Sequence, residues 1–264
     1  MEVAAFALEK NIALLRPNSL NNEDIYEKIS SQKPDFIVVA DYGKILPRNL
    51  LALAKLMPLA IHPSLLPCYR GAAPINWALI NGEKQTGTTV FKMNEKLDSG
   101  EILLQEIMDI EKEDNALTLK PKLALGGVKL LLKSFILVMR GDYKLITQDE
   151  KSVSFAPKLT KQDGKINWEG QAIEILNLIR GVADWPTAYT RYKGKLIKII
   201  KADVVGQEVI FSPGTVVEIK KDGIYVACGK ELLCIKVLRP EGKKEMDAYA
   251  FVLGHKVKVA DKFE

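Results

Sequence analysis

Two residues in this 264-residue chain have the type and setting for proton chemistry. His62 ends the apolar run Leu59-Ala60-Ile61, which reads as the end of a buried strand, and it enters a loop stiffened by Pro63, Pro67, Gly71 and Pro74. A side chain that titrates near neutrality, held on a rigid loop at a strand end, suits a general acid, a general base or an oxyanion partner. It equally suits a strand end that is merely capped by a hydrogen bond. Asp98 lies in Leu97-Asp98-Ser99-Gly100-Glu101, a tight turn before another apolar run. Aspartate at such a place is ordinarily a turn residue. Gly100 would let the backbone approach a ligand closely.

Positioning two such groups requires a sheet and the loops at its edge. Phe36-Ile37-Val38-Val39-Ala40 is a continuous apolar, largely β-branched run, expected as a strand of a parallel sheet covered on both faces. Residues 11–15 read as a shorter strand, 22–29 as a helix capped by Asn22, and 49–55 and 75–80 as further helices. Residues 87–93 read as a strand. Residues 117–139 read as a long helix that Pro121 either kinks or opens, with Gly141 as its C-cap. Strands alternating with helices predict the α/β class. The polar stretch after Gly141 predicts a boundary: a first domain over 1–142, a linker over 143–160, and a second domain over 161–264. In the second, short strands near 188–192, 196–202, 215–219, 224–227 and 232–238, with turns at Lys193-Gly194 and Asp222-Gly223, predict a small OB-like β-barrel.

Composition narrows the class further. Hydrophobic residues make up 47% and charged residues 27%, enough to bury a core. No apolar run is long enough to span a membrane, so no membrane partner is expected. Cys68, Cys228 and Cys234 are too few and too scattered for a disulfide framework or a zinc site. Free thiols in a cytoplasmic setting, and no metal, are the expectation. The net charge is +5, and residues 151–200 carry nine basic against four acidic side chains, which accounts for all of it. A concentrated basic stretch of this kind can bind a phosphate backbone, or can be a solvated face.

The string His62-Pro63-Ser64-Leu65-Leu66-Pro67, followed by Tyr69-Arg70-Gly71-Ala72-Ala73-Pro74-Ile75, resembles the folate-dependent formyltransferases. Arg70 to Ile75 is most similar to the methionyl-tRNA formyltransferase branch. So are Ala156-Pro157-Lys158-Leu159, Ile179-Arg180-Gly181 and Leu238-Arg239-Pro240-Glu241-Gly242-Lys243. The resemblance implies a Rossmann-like catalytic domain followed by the barrel. It implies transfer of a formyl group from 10-formyltetrahydrofolate to the α-amine of initiator methionyl-tRNA, by a monomer in a bacterial or organellar cytoplasm.

His62 matches the family's catalytic histidine, which donates to the oxyanion. Asp98 matches the aspartate that holds this histidine charged. Ser64, Leu65, Leu66 and Pro67 match the string lining the folate site, and Tyr42, Gly43, Ile45 and Leu46 match the pterin-binding loop. Arg70, Lys158, Lys161, Arg180 and Lys243 are the expected tRNA contacts. Two departures stand out. The family asparagine two residues before the histidine is Ala60 here, and losing one oxyanion donor typically costs ~10²–10³ in rate. The strand, helix and strand that open family members are also missing ahead of the part resembling residues 5–16. The domain is therefore expected to be N-terminally incomplete, with the strand at 36–40 an exposed apolar edge unless 11–15 pairs with it. Competing expectations are a formyltransferase or hydrolase acting on another acceptor, and a degenerate paralogue that only binds folate or tRNA.

Overall fold

The computed structural model describes residues 2–207 and 210–264. α1 (Glu2–Glu9) and α2 (Glu23–Ser31) lead into the first sheet. Asn22 caps α2 by accepting from the Asp24 amide at 3.0 Å, and Ile25 is the residue that this helix buries. β1 (Phe36–Ala40) lies parallel to β2 (Met57–His62), with the short helix α3 (Arg48–Leu51) between them. β3 (Arg70–Gly71) and α4 (Pro74–Ile80) follow. β4 (Gln85–Lys92) and β5 (Ile102–Asp109) then complete a sheet of order β1-β2-β4-β5.

α5 (Ala116–Arg140) covers this sheet, setting Leu130 and Val138 against Met57, Leu59, Val90 and Leu103. Asn115 and Thr118 form a capping box at its start, and Gly141 ends it with a left-handed φ of 70°. Pro121 lies inside the helix, which continues past it.

Two expectations fail. The sheet is mixed, because only β1 and β2 are parallel while β4 runs antiparallel to both of its neighbours. Residues 11–15 form no strand. The chain leaves α1 through Asn11 at φ 53°, with the Ile12 amide still bonded to Ala7, so this segment is a helix exit. Ile12, Leu14 and Leu15 stay exposed. Among the described residues no strand pairs the free side of β1, and Val38 is 39% exposed.

Residues 143–160, expected as a linker, are stitched to the first lobe. Ile146 exchanges both backbone hydrogen bonds with Ile102, and β6 (Phe155–Ala156) pairs parallel with β3. Beyond α6 (Ala172–Gly181) come β7 (Tyr189–Tyr192), β8 (Lys195–Val205), β9 (Val216–Lys220), β10 (Gly223–Ala227) and β11 (Leu232–Pro240). Their antiparallel order is β7-β8-β11-β10-β9, with β12 (Met246–Asp247) on β11 and α7 (Ala248–His255) after it. The turns expected at 193–194 and 222–223 join β7 to β8 and β9 to β10. The C-terminal tail bridges the two open edges, Phe263 against Tyr192 and Lys262 against Thr215. The barrel this closes is filled by Ile199, Ile224, Leu233, Ile235, Phe251 and Phe263.

The exposed edge of β1 is a surface for self-pairing. Val38→Lys is expected to lower light scattering in concentrated solution while changing unfolding stability by no more than about 1 kcal/mol in urea. Unchanged scattering would instead implicate the exposed side of α5 at Leu125, Leu132 and Ile136.

Candidate active site

β1 and β2 end side by side, Ala40 opposite Ile61, so the loops after them leave the same sheet edge. Residues 41–47 form one of these loops and the Pro-rich segment after His62 forms the other. The second is fixed from beneath by β4 and β5. The Thr89 hydroxyl donates to the Ser64 carbonyl at 2.6 Å and accepts from the Leu66 amide at 3.1 Å. Gln105 donates to the Leu66 carbonyl at 2.7 Å. The Ser64 hydroxyl turns inward to the Cys68 carbonyl at 2.6 Å.

This loop returns as Tyr69-Arg70-Gly71, and these three residues meet both candidate catalytic groups. The Tyr69 carbonyl lies 2.8 Å from His62 Nε2. A carbonyl only accepts, so Nε2 carries the hydrogen and the neutral ring keeps its lone pair on Nδ1. Nδ1 is 3.8 Å from Asp98 Oδ2, which accepts from the Gly71 amide at 2.9 Å. His62 and Asp98, 36 positions apart in sequence, are therefore neighbours, with His62 6% exposed. Burial pushes the His62 pKa below its ordinary 6.5, while the Asp98 charge and the Tyr69 carbonyl oppose that fall. Burial thus favours the neutral imidazole, while Asp98 favours the charged form that the resemblance implies.

Asp98 itself sits at φ 48°, in the left-handed region, on a turn that needs Gly100. A Cβ there would overlap the Lys92 carbonyl oxygen. Gln148, which no motif singles out, ties the Asp98 turn to Arg70. Its only sequence context is the polar segment expected as a linker.

Several expected site residues are differently employed. Ser64 and Leu66 are buried inside the loop packing, Leu66 against Ala60 and Phe91, so their side chains line no open surface. Leu65 and Pro67 are partly buried. Leu65 borders a cleft of about 560 Å³ together with Cys68, Tyr69, Glu83 and Gln85; neither His62 nor Asp98 lines it. Tyr42, Gly43 and Ile45 are exposed and Leu46 half-buried. Among the described residues the amides of 42–46 make no hydrogen bond, which leaves them available to a ligand. Ala60 points to the same face of β2 as His62 and is 6% exposed, packed in an apolar cluster.

Arg70 is 5% exposed, its guanidinium spent on Gln148 and Glu150, so it is not presented to a phosphate. Arg180 donates to the carbonyls of Asp114 at 2.6 Å and Glu111 at 2.9 Å, clamping α6 to the first lobe. Lys158, Lys161 and Lys243 are exposed. Among the described residues no cluster of His, Cys, Asp and Glu could hold a metal ion.

The sequence profile of the family described as "Formyl transferase" matches residues 2–134, and that of "Formyl transferase, C-terminal domain" matches residues 158–256. A methionyl-tRNA formyltransferase of Alkaliphilus oremlandii is 42% identical over 251 residues, 95% of this chain and 81% of the relative. One from Caldanaerobacter subterraneus is 41% identical over 97% of this chain and 82% of the relative. Among solved structures, HypX from Aquifex aeolicus in complex with tetrahydrofolic acid superposes with a TM-score of 0.66 at 21% identity, over 90% of this chain and 42% of that one. An N-formyltransferase from Helicobacter canadensis superposes with a TM-score of 0.65 at 19% identity, over 88% of this chain and 81% of that one. Those two likenesses establish the fold. The identity to the bacterial enzymes, carried across both lobes, goes further: this chain belongs to the formyltransferase family.

Proposed function

We propose that the protein transfers a formyl group from 10-formyltetrahydrofolate to the α-amine of methionyl-tRNA for translation initiation. The observation that carries this reading is the meeting of His62 and Asp98 at 3.8 Å, at the sheet edge shared with the loop 41–47, in a member of this family. That loop fits a pteridine. Tyr42 and Ile45 are 45% and 64% exposed, giving a flat apolar ring surface to lie on, and the free amides beside them suit its polar edge. The folate substrate supplies an electrophilic carbon and a nitrogen leaving group.

The chain's own residues then manage the protons. The lone pair on His62 Nδ1 accepts the proton of the attacking amine, and Asp98 stabilises the imidazolium that results. Nδ1 afterwards returns the proton to the departing nitrogen. Tyr69 keeps the ring in the one tautomer that allows this. Ala60 offers only a methyl where the family has a carboxamide, so the oxyanion lacks one donor and turnover is reduced. Exposed Lys158, Lys161 and Lys243 are the proposed tRNA contacts, and the reaction belongs in the cytoplasm, where charged tRNA is found. No helix among the described residues is long and apolar enough to cross a membrane.

Single-turnover assays with methionyl-tRNA and formyl donor test the reading directly, and absence of transfer at high enzyme with tRNA still bound would overturn it. Asp98→Asn is expected to lower kcat by ~10² or more. Because the Asp98 charge raises the His62 pKa against burial, removing it moves the acid limb of the kcat profile to lower pH. A limb that stays put would refute His62 as the base. Ala60→Asn restores a donor and is expected to raise kcat by up to ~10²; an unchanged rate would mean that the missing amide is not what limits turnover. Alanine at Lys158, Lys161 or Lys243 is expected to lower the slope of log Kd for tRNA against log salt by about 1 each. Arg180→Ala should leave that slope intact.

A further inference from the structure

The geometry points to Gln148 as the positioning residue that holds Asp98 against His62, an inference that rests on the formyltransferase reading of these two groups. Gln148 is 5% exposed, and every hydrogen-bonding position of its amide is used. Its carbonyl oxygen accepts from Arg70 Nε at 3.0 Å and Nη2 at 2.8 Å. Its NH₂ donates to the carbonyls of Asp98 at 2.8 Å and Gly100 at 2.7 Å. The orientation has no alternative, since a flipped amide would aim NH₂ at a guanidinium and oxygen at two carbonyls.

The Asp98 turn has little to hold it otherwise. Its φ of 48° is costly for a residue with a Cβ, and such a conformation persists only where the surroundings over-determine it. Around it, the Ser99 hydroxyl donates to Asn94 Oδ1 at 3.1 Å, and the Gly71 amide holds the carboxylate. Gln148 grips the backbone on both sides of Ser99. Arg70, in turn, sits between Tyr69, whose carbonyl fixes His62, and Gly71, whose amide fixes the Asp98 carboxylate. The Asp98 carbonyl and carboxylate are thus both referred to the same three-residue segment that holds the histidine. A side chain placed this way sets the rotation of the carboxylate toward Nδ1 without touching substrate.

Gln148→Glu keeps an acceptor for Arg70 but cannot donate to the two carbonyls; Gln148→Met matches the length and carries neither function nor charge. Both are expected to lower kcat ~10- to 10²-fold, as a misplacement of about 1 Å does. KM for either substrate should stay within about 2-fold. In the Asp98→Asn background the same changes should cost less than about 2-fold, because the group they position is already disabled. A role confined to general stability would instead multiply with Asp98→Asn. The chain has two histidines, so imidazole NMR resolves His62 from His255 without any assay of transfer. Both Gln148 variants should move the His62 resonances toward those of Asp98→Asn and leave His255 in place. Wild-type His62 resonances in a folded variant, or losses that multiply with Asp98→Asn, would overturn the proposal. A wild-type protein that forms no formyl product, yet shows these spectral shifts, would overturn the enzymatic reading and leave the positioning intact.

Discussion

One short backbone segment, Tyr69-Arg70-Gly71, carries the constraint on which the site depends. It is where a histidine from β2 and an aspartate from the β4–β5 turn are referred to a common frame, through a carbonyl and an amide two residues apart. The segment can serve as a frame because it is itself pinned. β6 pairs with it, the Tyr69 amide donates to Ser154 Oγ at 2.9 Å, and the Arg70 amide donates to the Ser154 carbonyl at 2.9 Å. Gly71 sits at φ 127°, and a Cβ there would come within 2.5 Å of the Ala156 carbonyl oxygen. Only glycine lets the two backbones lie this close while its amide turns toward Asp98.

The same pinning connects the site to the second lobe. The chain runs from Gly71 straight into α4, and α4 is shared property: Trp77 and Ile80 pack with the core of the second lobe. The Trp77 indole donates to the Pro157 carbonyl at 2.8 Å, and Asn76 donates to the Gly181 carbonyl at 2.7 Å. Residues 143–160 are therefore part of the catalytic lobe's scaffolding as much as a passage to the barrel. Arg180 adds two charge-assisted bonds across the junction, the kind worth more than a neutral pair. The proposed tRNA contacts Lys158 and Lys161 lie shortly after β6, at the end of the same stretch of chain that carries Gln148.

Legibility in the sequence followed the range of the interactions. His62 and Asp98 could be found because a strand end followed by prolines, and an Asp-Ser-Gly turn, announce themselves locally and match a known string. Helix caps at Asn22 and Gly141 and the two hairpin turns were legible for the same reason. Arg70 was misread because an arginine in a loop looks like a phosphate ligand until its partner is known. That partner, Gln148, lies 78 residues away in a stretch whose polarity resembles a linker. The strand expected at 11–15 failed although β1 leaves an edge free among the described residues, because the Ile12 amide stays bonded to the Ala7 carbonyl and keeps the segment on the end of α1. Neither the depressed His62 pKa nor the direction of its lone pair could be read in advance, since both depend on a carbonyl seven residues on and on burial by the whole sheet.

A histidine that burial biases toward its neutral form changes what Ala60 would mean for the proposed reaction. Had the resting ring been an imidazolium, it would have supplied a positive donor to the oxyanion, and a missing carboxamide would have been partly covered. With Nε2–H committed to Tyr69 and the neutral form favoured by burial, the ring would donate in the proposed mechanism only after it had accepted a proton from the amine. Proton transfer then has to run ahead of, or together with, charge development on the oxygen. In the mechanism proposed above, the methyl of Ala60 and the buried imidazole would act on the same moment: the first would withhold a donor, and the second would delay one. Asp98, by stabilising the imidazolium, would shorten that delay in the proposed mechanism, so the precision with which the 69–71 segment and Gln148 hold it would matter more beside Ala60 than beside an asparagine.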